Sequence, residues 1–354
     1  MRGALAGLLA GLAALAAGRA AEACAGCSNP NLPVVRAESA ALAPGEASAA
    51  LHLTATTMRV VHDEACPDIG PVCAERAEPP QRHDQRFYVA ELRPVVALGV
   101  APGFAVELQA PVRLVTTTIV FRRLDGTPFE PDYQNIHHRD ETLAGVADPW
   151  LLARATRGLG RLAVTSRAGL GLPLGRTEED PFARGRAGLR HQHIQFGTGT
   201  FYPVLALDAS LALAPFRLSG YGQALLFLYE NGHGYRAGNR YMGGLSGDAE
   251  VAKNLRLGAG ADLLHERPER WGGVVQQDGN VGRTDLLVGG TASYAFGAVT
   301  ASVAVKVPVY QHFLASHDHG GDPGQLTYPA IVNLALQARF GGPPREPAPA
   351  APAR

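Results

Sequence analysis

GTFYPVLALDASLALAPFRLSGYGQALLFLY, residues 199–229, holds two runs of alternating apolar and small or polar residues on either side of one very short break at Ala214-Pro215. On the first run Phe201, Leu205, Leu207, Ala209, Leu211 and Leu213 share a face, and Thr200, Tyr202, Asp208 and Ser210 share the other. A period of two belongs to a strand with one apolar and one polar side. The second run repeats it, with Leu218, Ala224, Leu226 and Leu228 opposed to Arg217, Ser219, Tyr221 and Gln223. The stretch therefore reads as a β-hairpin. Each arm exceeds the roughly five or six residues of an ordinary strand and suffices for the roughly 9 to 11 that a tilted strand needs to cross a bilayer.

Working outward, the same pattern recurs. Strands are expected at residues 49–62, 85–100, 104–122, 143–156, 161–174, 242–253, 255–266, 282–296, 298–312 and 328–340, in addition to the two arms above. That makes about twelve, an even number, as bacterial outer-membrane barrels have. Connection lengths alternate strictly: Pro102-Gly103, Arg157-Gly158, Ala214-Pro215, Asn254 and Gly297 mark tight turns, and every other connection is long and polar. Short periplasmic turns and long extracellular loops are the habit of such barrels. A soluble sandwich shares the strand period but predicts neither this alternation nor the acidic and basic residues on one face of nearly every strand. The expected fold is an all-β, transmembrane, antiparallel up-and-down β-barrel with both termini in the periplasm.

The first residues support export. MRGALAGLLAGLAALAAGRAAEA carries one early Arg2, an apolar run from Ala4 to Ala17 and small residues at Ala21 and Ala23, the plan of a secretory signal peptide over residues 1–23. Residues 24–48, beginning CAGC and rich in Ala, Pro and Glu, read as a periplasmic N-terminal segment, residues 49–340 as the barrel, and residues 341–354 as a disordered Pro/Ala-rich tail. Thirty-two basic and thirty-two acidic residues leave no net charge, so nothing global recruits nucleic acid.

The polar face supplies the lumen candidates. Its acids are Glu91, Glu107, Asp208, Asp262 and Asp285; its bases are Arg93, Arg113, Arg167, Arg217, Arg283, Lys306 and Arg339. Such a lining either hydrates a path for small solutes or pairs across a narrow interior and closes it, because an unpaired buried charge is costly. About twelve strands lie well below the roughly 16 to 18 that leave an open channel, so a narrow or gated conduit and a plugged scaffold are the two readings.

Histidines concentrate in or beside the long loops. His137, His138, His191, His193, His312, His317 and His319 are the candidate metal ligands, and imidazole beside carboxylate suits Zn or Cu. The four cysteines form two close pairs. Cys66 and Cys73 are expected to staple the first long loop in an exported protein, and Cys24 and Cys27 are a second disulfide, a redox pair or half of a metal site. No Gly-Xaa-Ser-Xaa-Gly occurs and His52-Leu53-Thr54 is too slight for a nucleophile, so an enzyme is not expected.

ELQAPVRL from Glu107, GVADPWLLARAT from Gly145, GLGLPLG from Gly169 and GTGTFYPVLAL from Gly197 resemble segments of the loosely defined family of outer-membrane transporter barrels that includes the meta-pathway phenol-degradation group. The resemblance implies an outer-membrane barrel with a transport role, a small solute as partner, and no catalytic residues. It also implies delivery by the barrel-assembly machinery, which reads a last strand ending in an aromatic residue; Phe340 fits that position, followed here by the tail GGPPREPAPAAPAR.

Overall fold

The computed structural model describes residues 29–32, 41–65, 80–131, 135–276, 279–314 and 325–341. Twelve antiparallel strands close into a barrel. They are β1 (Ala47–Ala65), β2 (Pro80–Ala101), β3 (Phe104–Gln109 continued by Val112–Arg123), β4 (Glu141–Val146 continued by Trp150–Leu159), β5 (Leu162–Gly171) and β6 (Tyr202–Leu213). The other half is β7 (Phe216–Leu225), β8 (Arg240–Ala252), β9 (Leu255–Glu266), β10 (Arg283–Phe296), β11 (Val299–Phe313) and β12 (Ile331–Phe340). Each strand pairs with its sequence neighbours, and β1 closes the ring on β12 with Ala47 opposite Phe340. Closure leaves no open edge, which a sheet in hydrocarbon requires.

The alternation foreseen along the chain is the inside-outside pattern of the wall. Val96, Leu98, Val106 and Leu108 lie exposed on the outer surface, whereas Ala97, Ala105 and Glu107 between them are buried inside. An outer surface of leucine and valine is what a lipid-facing barrel presents. The tight-turn end is built from two-residue links between β2 and β3, β4 and β5, β6 and β7, β8 and β9, and β10 and β11. Gly103 takes φ 76° in the first of these and a Cβ there would meet the Thr156 carbonyl oxygen at 2.6 Å, so only glycine fits.

Several boundaries differ from expectation, each for a local reason. β3 and β4 are interrupted at residues 110–111 and 147–149, where Pro111 and Pro149 lack the N–H a ladder needs. The halves continue across the breaks because the Ala110 N–H donates to the Pro94 carbonyl at 3.0 Å and Ala147 to that of Pro111 at 2.9 Å. β7 stops at Leu225 instead of running to Tyr229: the Leu226 N–H still reaches the Pro203 carbonyl at 3.1 Å, but the Phe227 N–H turns to Asn239 Oδ1 at 2.7 Å. β12 begins at Ile331, not Tyr328, whose ring turns inward.

The loop-end half of the lumen is filled. The connection 172–201 carries a short helix, α1 (Pro181–Arg186), capped by the Asp180 carboxylate, and returns inward through Asp148, whose Oδ1 accepts from Gly175 N–H at 2.9 Å and Oδ2 from Thr198 N–H at 2.8 Å. Gly175 and Gly197 cross there with no room for a side chain; a Cβ on Gly175 would meet the Gly197 Cα at 2.6 Å. Phe182, Tyr235 and Trp271 from three different loops join Trp150, Tyr202 and Phe227 in one buried cluster. Asn29–Leu32, expected to lie outside the barrel in the N-terminal segment, are instead buried within it, with Asn31 Nδ2 donating to Glu266 Oε1 at 2.6 Å and Leu32 packed in the core beside Met58 and Phe87.

Candidate functional site: an ion-paired lumen beneath a histidine box

Two polar arrays line the interior. The first runs across β2 to β6. Glu91 accepts from Arg93 at 2.6 Å and from Arg113 Nε at 2.7 Å. Arg93 continues to Gln109 Oε1 at 3.2 Å, and Gln109 Nε2 to Glu107 Oε1 at 2.8 Å. The other Glu107 oxygen takes Arg167 Nε at 3.1 Å with Arg154 at 3.6 Å, and Arg167 reaches on to Asp208 at 2.5 Å. Each of these acids and bases is buried or nearly so, and each charge has an opposite charge in contact, which buried ions require. Arg93 also lies 4.5 Å from the Trp150 ring centre, and the Trp150 Nε1–H donates to the Tyr202 hydroxyl at 2.8 Å.

The remaining lumen candidates form separate pairs on the opposite wall. Arg283 Nε lies 2.8 Å from Asp285 Oδ2, on which Tyr328 also donates at 2.6 Å. Lys306 Nζ is 2.6 Å from Asp262, whose other oxygen accepts from Tyr221 at 2.7 Å. Arg217 is half-exposed and bonds Asp248 at 2.9 Å, and Arg339 approaches Glu46 at 3.6 Å near the end of the barrel.

The second array consists of imidazoles at the loop end. His62 on β1 and His83 on β2 are direct cross-strand partners. The loop after β3 brings His138 against both, with ring centroids 5.1 Å from His62 and 4.7 Å from His83. His137 stacks on His138 and also lies within 4.6 Å of His191 and 4.7 Å of His193 from the loop after β5. Both groups, His62–His83–His138 and His137–His191–His193, place one nitrogen from each ring within 4.8 Å of the others, and all six rings are buried.

Local sequence explains why neighbouring histidines serve two groups. Asn135 Oδ1 accepts from the N–H groups of both His137 and His138, at 2.8 and 2.7 Å, tightening the chain into a turn in which the two rings stack 4.4 Å apart and each meets a different pair of histidines on its outer side. The two loops are tied together, because Arg139 Nη1 donates to the carbonyls of Ile136 at 2.7 Å and His191 at 2.9 Å, and the His191 N–H donates to Ile136 at 3.1 Å. His191 Nδ1 lies 2.9 Å from the Leu189 carbonyl, so that nitrogen carries the hydrogen and Nε2 keeps its lone pair. Among the described residues His137 Nε2 and His193 Nδ1 are buried with no hydrogen-bond partner.

Burial decides the charge state of this array. It holds His137 and His138 well below the ordinary histidine range and His193 at about 3, so these three rings are neutral. Nearby, between β9 and β10, burial raises the Glu269 carboxyl to about 7.

Of the histidines singled out in the sequence, the structure thus brings together His137, His138, His191 and His193. His312 stacks on Tyr310 with centroids 6.1 Å apart and belongs to neither group; His317 and His319 lie outside the described residues, as do Cys24, Cys27, Cys66 and Cys73. The partners not foreseen as ligands are His62 and His83. Continuing the polar face of β1 by steps of two from His52 reaches His62, and continuing that of β2 back from Glu91 reaches His83; the pairing of the two needs the strand register.

The class defined by this fold and lining is a twelve-stranded transmembrane barrel with a filled, ion-paired lumen. The chain is similar in fold to an outer membrane channel from Pseudomonas putida F1, with 13% identity, covering 87% of this chain and 100% of that one, at a TM-score of 0.57. A Pseudomonas aeruginosa FadL homologue aligns at 10% identity over 83% of this chain and 90% of that chain with a TM-score of 0.37. The TodX monoaromatic hydrocarbon channel aligns at 7% identity over 84% and 91% with a TM-score of 0.40. No protein-family profile and no curated protein matches the chain.

Proposed function

We propose that the protein is an outer-membrane conduit for small solutes, shut in the conformation described above and opened by displacing the chain that fills its loop-end half. The observation that carries this reading is the filling itself. Asn29, Asn31, Arg93, Trp150, Tyr202 and Phe227 surround a cavity of only about 40 Å³. A cavity of that size holds a few waters at most. The plug is made of loops and a terminal segment, elements drawn from the least stable part of a fold, and the wall behind it is a continuous hydrogen-bonded sheet. The strict alternation of link lengths supports long loops on the outer face and both chain termini in the periplasm.

The second reading, a permanently plugged binding or structural barrel, is favoured by the buried bond from Asn31 to Glu266. Single-channel conductance in a planar bilayer separates the two. A variant with glycine at each of residues 29–32 is expected to pass steady current steps where the unaltered barrel opens rarely. Silence from both, with protein shown to be folded by its heat-modifiable gel mobility, would establish the plugged barrel instead.

A further inference from the structure

The filled lumen that carries the conduit reading does not itself call on the six buried imidazoles. We propose that they form a two-ion site for late first-row transition metals, Zn(II) or copper, with one ion held by His62, His83 and His138 and the other by His137, His191 and His193. Each ion takes three protein nitrogens and keeps an open position, the arrangement of a zinc site that exchanges ligands and not of a closed structural one. The donor set selects the metal class. Imidazole nitrogen suits Zn and Cu, whereas Mg and Ca require oxygen ligands, and no carboxylate belongs to either group.

Three further features fit ligation. His191 is oriented by the Leu189 carbonyl, as metal-binding histidines are by a partner on the second nitrogen, leaving Nε2 for the ion. His137 Nε2 and His193 Nδ1 are buried lone-pair or N–H positions with no partner among the described residues, which a metal bond and its accompanying tautomer would satisfy. Nitrogens on a tetrahedral zinc sit about 3.3 Å apart, so the spread of up to 4.8 Å contracts by rotamer shifts of about an ångström.

Local charge does not rank the two sites. Arg139, which donates to the His191 carbonyl beside the His137 group, is paired with Glu141 at 2.7 Å. Asp63, next to His62 in sequence, faces the other side of the strand and is paired with Arg82 at 2.8 Å. Whichever site fills first, the second ion binds more weakly because it enters beside a bound cation. Loading ties the β1–β2 hairpin to the loops after β3 and β5.

The test is Zn(II) titration of the folded, chelator-stripped barrel in detergent by calorimetry, with metal content measured after desalting. Two ions are expected, one lost in His62→Gln, the other in His193→Gln, and both in the double variant, with Mg(II) and Ca(II) unable to compete. Cobalt(II) added to the unaltered protein provides a readout that needs no variant, since intense visible d–d bands of a low-coordinate nitrogen site are expected. Retention of both ions by the double variant, with loss in His317→Gln/His319→Gln, would overturn the assignment. So would a single ion lost equally in either single variant, or no binding and no cobalt spectrum from folded protein.

Discussion

The two polar arrays of this lumen are buried to a similar degree and solve the problem of burial in opposite ways. Between β2 and β6 the groups are ionised, and every carboxylate leans on a guanidinium, as Glu107 does on Arg154 and Arg167. At the loop end the groups are imidazoles, of which His137, His138 and His193 are held neutral by burial, and ring stacks such as His137 on His138, 4.4 Å apart, take the place of ion pairs. A self-compensated ladder is rigid and is costly to break at any one member. A neutral box costs little to build and keeps lone pairs for something that arrives later. The difference assigns structure to the first array and binding to the second.

That contrast is broken most severely at Arg167. Arg167→Met leaves Glu107 and Asp208 buried with less compensation and is expected to cost about 3–5 kcal/mol, read from urea unfolding of the barrel in lipid vesicles. Replacing a member of the histidine box is the matched experiment. His193→Leu, in metal-free protein, is expected to change the same unfolding free energy by about 1.5 kcal/mol or less, because a neutral ring is exchanged for an apolar side chain of similar bulk against Phe182. Equal losses at the two positions would erase the distinction.

The pH response sharpens it. His137, His138 and His193 have folded-state pKa values depressed below the ordinary 6.5. Below 6.5 the opened loops therefore bind more protons than the closed ones. The stability of the closed box is fully present above 6.5 and lost as pH falls toward the folded values, by up to about 1.4 kcal/mol per pH unit for each histidine. Protease sensitivity of the loops after β3 and β5 should rise between pH 7 and pH 5. Glu269 works with the opposite sign, since its carboxyl is raised to about 7 and the closed state binds the extra proton between its ordinary value and 7. Closure at that loop weakens as pH rises through this window, and Glu269→Gln is expected to remove that component, seen as a steeper net gain in protection with pH. The smallest effect belongs to the rim, where Arg82→Ala breaks a half-exposed pair with Asp63 and is expected to cost about 1 kcal/mol or less.

Much of this molecule was legible in its sequence for a physical reason. A barrel in hydrocarbon must alternate apolar and polar residues on every strand, so residues 199–229 announce both the hairpin and which side of it faces inward. The acid-base ladder follows from the same period, since Glu107 and Asp208 fall on the polar face. What was not legible depends on register and on long-range return of the chain. The juxtaposition of His62 and His83 requires knowing that β1 and β2 pair at that offset. The breaks at Pro111 and Pro149 fall inside strands expected to run unbroken over 104–122 and 143–156, and the loop from Gly175 to Thr198 that re-enters beside Asp148 was not expected either. Asn29–Leu32 have no periodicity at all, because they fill a cavity that other residues define.

The most direct test of the account is single-channel conductance with the metal as the variable. If the barrel is a conduit whose loop end is tied shut through the histidine box, current steps from the metal-free protein should be suppressed by Zn(II), and the same addition should leave the His62→Gln/His193→Gln variant unchanged. Current steps indifferent to Zn(II) in the unaltered protein, at concentrations that saturate binding, would contradict the claim that metal loading of the box ties the loop end of the conduit shut.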